Sequence, residues 1–92
     1  MSVKVTIPIY LGHYTDGIFE VDVQGSTVGE ILHNIGKRFP RLGDVLFPHD
    51  GRLDEFIYIK LNERVLTTAD NPLTSQVRDG DKISIIFPIG GG

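Results

Sequence analysis

Apolar residues alternate with polar ones at Val3, Val5 and Ile7, where Lys4 and Thr6 intervene, and again at Phe19, Val21 and Val23, where Glu20 and Asp22 intervene. A two-residue period puts the apolar set on one face of a strand. With the turn-prone run His13-Tyr14-Thr15-Asp16-Gly17 between them, the two segments predict an N-terminal hairpin. The period then changes. Val28, Ile31, Leu32, Ile35 and Phe39 recur at helical spacing behind the polar run Gly25-Ser26-Thr27. Thr27 as the N-cap, with Glu30 three residues on, has the spacing of a capping box. Pro40 disfavours helical backbone in the residue before it, so the helix is expected to end at Phe39 or just before.

From Arg41 to Leu53 the chain carries Gly43, Pro48, Asp50 and Gly51, which reads as a long connection with a short turn at Val45-Leu46-Phe47. Alternation resumes after Phe56, with Ile57, Ile59 and Leu61 against Tyr58 and Lys60, and Asn62-Glu63-Arg64 reads as a tight turn into a brief strand at Val65-Leu66. Thr67 to Gln76 is a polar crossing loop around Pro72 and Leu73; Asp79-Gly80-Asp81 then turns the chain into a last strand on which Ile83, Ile85 and Phe87 share a face. The helical stripe needs an apolar sheet face to cover it. The expected class is therefore α+β, a β-grasp of ubiquitin-like form: a mixed sheet of four to five strands packed on one main helix, its first and last strands parallel in the centre. Residues 1–89 would form the domain and residues 90–92 a flexible glycine tail.

Composition narrows the function more than the fold. Ninety-two residues hold one small core. A hydrophobic fraction of 40% with 23% charged residues suits a soluble domain, and with neither a membrane-length apolar run nor a signal peptide the expected compartment is the cytoplasm. The absence of cysteine removes thiolate catalysis, disulfides and Cys-type metal sites. A net charge of -3 with scattered Lys and Arg speaks against nucleic acid and better suits a partner with a basic surface. His13, His33 and His49 fall in a turn, a helix and a loop and lack metal-ligand spacing, so they read as surface histidines. Asp79 and Asp81 lack the further carboxylates of a calcium loop and read as a turn. Neither a phosphate-binding loop nor a His–carboxylate motif is present, so the chain is not expected to be an enzyme.

The last strand leads to Gly90, Gly91 and Gly92, and glycine, having no Cβ, passes where a slot is too narrow for other residues. Together with Val5-Thr6-Ile7-Pro8, with Phe56-Ile57-Tyr58-Ile59-Lys60-Leu61-Asn62, and with Asp79-Gly80-Asp81 followed by Ile83, Pro88, Gly91 and Gly92, this ending resembles the MoaD/ThiS family of ubiquitin-like sulfur carriers. The likeness is nearer to the family's cysteine-biosynthesis branch. Gly90 departs from the pattern, since relatives carry a small non-glycine residue there. The resemblance implies that a ubiquitin-activating-type enzyme, using ATP and magnesium, adenylates the Gly92 carboxylate. Sulfur then displaces AMP to leave a thiocarboxylate, which a sulfur-accepting synthase consumes in cysteine or molybdopterin biosynthesis. The chain itself would bind no cofactor, act as substrate and carrier, and be a monomer when free.

Docking residues follow from strand parity. If Ile57, Ile59, Ile83, Ile85 and Phe87 face the helix, then Tyr58, Lys60, Ser84 and Ile86 face the open side of the sheet, where Tyr58 and Ile86 are the candidates for partner contact. The resemblance adds Pro88 and Ile89. Two other readings stay open: a protein modifier joined through Gly92 to lysines of other proteins, and a β-grasp interaction module whose tail is never activated.

Overall fold

The structure, a computed structural model, describes residues 1–48, 51–67 and 71–87. Five strands, β1 (Ser2–Thr6), β2 (Glu20–Gln24), β3 (Tyr58–Leu61), β4 (Arg64–Leu66) and β5 (Lys82–Ile86), form one mixed sheet in the order β2-β1-β5-β3-β4. The first and last strands lie side by side and parallel, with Val5 opposite Ile83, and the remaining pairs are antiparallel. This is the expected β-grasp. Val3, Val5, Val21, Val23, Ile59, Ile83 and Ile85 are all buried, and with the buried Val28, Ile31, Leu32 and Ile35 they make up one core. The alternation of the strands and the stripe of the helix thus meet at a single interface.

Helix α1 spans Val28–Arg38. The Thr27 hydroxyl accepts from the Glu30 amide at 3.1 Å, and the Glu30 carboxylate accepts from the Ser26 amide at 2.9 Å, one residue earlier than a standard capping box would have it. The helix ends at the C-cap Phe39, before Pro40, as the proline requires.

The stretch beyond Pro40 differs from its reading as a connection. A second helix, α2, spans Pro40–Leu46 and packs against α1. Pro40 starts it from the first-turn position, where a missing N–H has no intrahelical partner to lose. Leu42 and Leu46, four residues apart and both fully buried, anchor it to the core. Gly43 looks like a breaker in the sequence, yet it serves packing: a Cβ there would sit 3.0 Å from the Cα of Gly36.

The hairpin connection also differs. Instead of a turn confined to residues 13–17, a 3-10 helix at Ile9–Tyr14 carries the chain across the end of the sheet, and Asp16 (φ 55) and Gly17 (φ 80) complete the reversal. Phe19 precedes β2 and lays its ring against Gly12, remaining partly exposed, whereas alternation alone puts it with Val21 and Val23. At Asn62 (φ 55) the chain reverses between β3 and β4, as the Asn-Glu-Arg reading anticipates. Pro72–Thr74 forms a short 3-10 turn that closes on α1, where a Cβ on Gly29 would approach the Leu73 carbonyl oxygen to 2.8 Å.

Candidate functional site

Because β1 and β5 are parallel and β3 is antiparallel to β5, the end of β1, the end of β5 and the beginning of β3 share one end of the sheet. Tyr58 opens β3 and Ile86 closes β5, and the register sets them directly opposite each other. Their neighbours Ile59 and Ile85 are buried against the helices, so Tyr58 and Ile86 occupy the open face, with Tyr58 49% exposed and Ile86 half-buried. Parity alone assigns each residue to that face; the register makes them a cross-strand pair. Directly opposed side chains of this kind touch and act as a unit. Pro88, Ile89, Gly90, Gly91 and Gly92 lie outside the described residues.

Two further features of this end were absent from the sequence reading. Phe56, two residues before Tyr58, is 63% exposed. Tyr10, in the 3-10 helix, donates its hydroxyl hydrogen to the Phe87 carbonyl, and the same oxygen accepts from the Phe87 amide at 3.2 Å. A separation of 77 residues hides this contact from any local pattern. Phe87 itself is half-buried against the core and faces it as parity predicts.

Farther from this end, the open face carries charges of both signs. Lys4 and Lys82 are register partners, and Lys60 lies on the same face opposite Ser84. Glu20 of the outer strand reaches Lys4 at 3.4 Å, Asp22 is the register partner of Lys4, and Glu63 approaches Lys60 at 4.0 Å.

The Asp79-Gly80-Asp81 turn lies at the opposite end and is a structural clasp. Gly80 takes a φ of 87° that side chains disfavour. The Asp79 carboxylate accepts from the Ser2 amide at 2.8 Å, and the Asp81 carboxylate accepts from the Arg78 amide at 2.8 Å and from the Asn62 side-chain amide at 3.2 Å. One turn thereby holds the beginning of β1, the β3–β4 reversal and the beginning of β5. His13 lies against Tyr14 and His33 stacks on Phe47, both exposed, while His49 falls outside the described residues. Among the described residues no helix is long and apolar enough to cross a membrane, and no group of three or more potential ligands gathers as a metal site.

The sequence profile of the ThiS family matches residues 10–92. The chain belongs to the ThiS family. It is a ubiquitin-like sulfur carrier of the MoaD/ThiS kind, and the family is one of small carrier proteins. A candidate sulfur carrier protein of Archaeoglobus fulgidus is 29% identical over 92 residues, the full length of both chains. A chain in the structure of the Amycolatopsis orientalis BexX/CysO complex is 30% identical with a TM-score of 0.86, and the match covers 98% of this chain and 99% of that one. The small archaeal modifier protein 1 of Methanosarcina acetivorans is 26% identical with a TM-score of 0.85, over 99% of this chain and 96% of that one. ThiS-family membership thus accords with a fold that presents its last strand beside its first and leads β5 outward at the Tyr58–Ile86 end.

Proposed function

We propose that the Gly92 carboxylate is the reactive group, adenylated by a ubiquitin-activating-type enzyme and converted to a thiocarboxylate. In the first step a carboxylate oxygen attacks the α-phosphate of ATP and pyrophosphate leaves; the partner's magnesium balances the phosphate charge. Sulfide or a persulfide then attacks the activated carbonyl carbon and AMP leaves. A persulfide donor passes on its outer sulfur, and a second thiol is then needed to split the resulting acyl disulfide. The thiocarboxylate is a soft, unhindered nucleophile, delivered to a sulfur-accepting synthase without release of free sulfide. Cysteine and molybdopterin biosynthesis are the two destinations proposed, and the cytoplasm is the proposed compartment.

The observation that carries this reading is that the family match runs through the terminal Gly91-Gly92. Gly90 and Gly91 would thread the partner's slot, and Tyr58, Ile86, Pro88 and Ile89 would dock against the partner. The test is intact mass spectrometry of the protein recovered from its native cells without thiols. A form in which one oxygen is replaced by sulfur, located in the Gly92 fragment, is the expected result; its absence under sulfur demand would sink the carrier chemistry.

A second reading, conjugation through Gly92 to lysines of other proteins, draws support from the likeness to the small archaeal modifier protein. Its signature is Gly92 in isopeptide linkage in digests of the native proteome.

A further inference from the structure

The point where β5 gives way to the tail is held by a side chain and by neither neighbouring strand. The β1–β5 register runs through Thr6 and Ser84, after which Pro8 has no amide hydrogen to offer and its carbonyl accepts from the Leu11 amide. The β3–β5 register runs through Tyr58 and Ile86, and the alternation that turns the Ser84 and Ile86 backbone toward β3 turns that of Phe87 away from it. Phe87, one residue past the strand, is bonded through both its amide and its carbonyl to the Tyr10 hydroxyl. A phenol oxygen can donate once and accept as well, so a single hydroxyl does here what a neighbouring backbone does within the sheet.

We infer that Tyr10 is a positioning residue for the carrier tail, fixing the Phe87 backbone to which residues 88–92 are joined. This rests on the proposed role of Gly92. Five residues beyond Phe87 span at most roughly 17 Å when extended, so a small change of angle at Phe87 displaces the terminus by several ångströms. An activating enzyme that docks on the sheet end and threads the tail would meet a chain already held at Phe87, and less freedom would be lost on binding. Once the tail is seated, the partner's slot holds it and the latch has no further effect. Removing the hydroxyl should therefore act on recognition and not on chemistry.

Tyr10→Phe tests this, because it keeps the ring, which is 39% exposed, and deletes only the oxygen. In the full chain, amide hydrogen exchange at Phe87 should quicken by roughly three- to tenfold, the weight of one hydrogen bond, while Ile83 and Ile85 keep their protection. Adenylation is then followed by pyrophosphate exchange, using the activating enzyme purified from the native cells by its action on the wild-type chain. KM for the carrier should rise by a similar roughly three- to tenfold with kcat held. Unchanged exchange at Phe87, an unchanged KM, or a fall in kcat alone would each overturn the inference. If fractions from the native cells adenylate neither wild type nor variant, the proposed function fails first and the role of Tyr10 fails with it. Faster exchange at Phe87 would then mark a latch that serves the fold only.

Discussion

Gly36 and Gly43 decide how closely the two helices approach. Each would place a Cβ 3.0 Å from the other's Cα, and a Cβ on Gly43 would also stand 3.1 Å from the Gly36 carbonyl oxygen. Alanine at an open helical position stabilises by about 1 kcal/mol relative to glycine. Here the neighbour is backbone, which cannot swing aside, and overpacking of that kind costs about 1–3 kcal/mol. Gly43→Ala is therefore expected to lower stability by up to roughly 2 kcal/mol in urea denaturation. A stability above wild type would show that α2 simply moves away. At Asp81 the weights differ, since its carboxylate serves two donors from two parts of the chain. Asp81→Ala should cost about 1–3 kcal/mol, and in NMR spectra it should disturb Asn62 as well as its own turn.

At the scale of elements, the N-terminus of α1 is set by a reciprocal pair of bonds, and Thr27→Ala should cost about 1 kcal/mol without changing the sheet. An unaltered denaturation midpoint would mean that the Glu30 bond to Ser26 suffices alone. The Tyr58–Ile86 pair belongs to this scale too, because it exists through the register of β3 against β5. Tyr58 is 49% exposed, so Tyr58→Ser should alter stability by no more than about 0.5 kcal/mol. If the pair docks the activating enzyme, the same change should raise KM for adenylation at least tenfold, as expected for a central aromatic anchor. An unchanged KM would remove Tyr58 from the docking surface.

For the whole molecule, the proposal separates a stable body from a reactive end, and the two should respond independently. One alanine added after Gly92 should leave the thermal midpoint where it is and abolish the thiocarboxylate form seen by mass spectrometry, because the carboxylate is displaced from the partner's catalytic centre. Sulfur found on the extended chain without trimming would refute the terminal mechanism. Charge also has to be read at this scale. The overall -3 suggests a basic partner, while the open face itself sets Lys4, Lys60 and Lys82 beside Glu20, Asp22 and Glu63. A partner touching that face meets its local charge, since screening confines these interactions to about 8–10 Å.

The strands and the helix α1 with its cap were legible in the sequence because each rests on interactions within a few residues: the alternation of Val3 and Val5, the stripe from Val28 to Ile35, and Thr27 beside Glu30; the β-grasp class followed from the order of these elements and the need of the helical stripe for one apolar sheet face. Parity likewise put Tyr58 and Ile86 on the open face, since a strand has only two sides. Helix α2 was not legible, because Pro40 and Gly43 are helix breakers in most settings and become a start and a contact only where Leu42 and Leu46 have a core to enter. The meeting of Tyr58 with Ile86, and of Tyr10 with Phe87, depends on strand register and on the path of the 3-10 helix. Such contacts between residues distant in sequence carry no local periodicity, and they form only when the completed sheet brings its ends together.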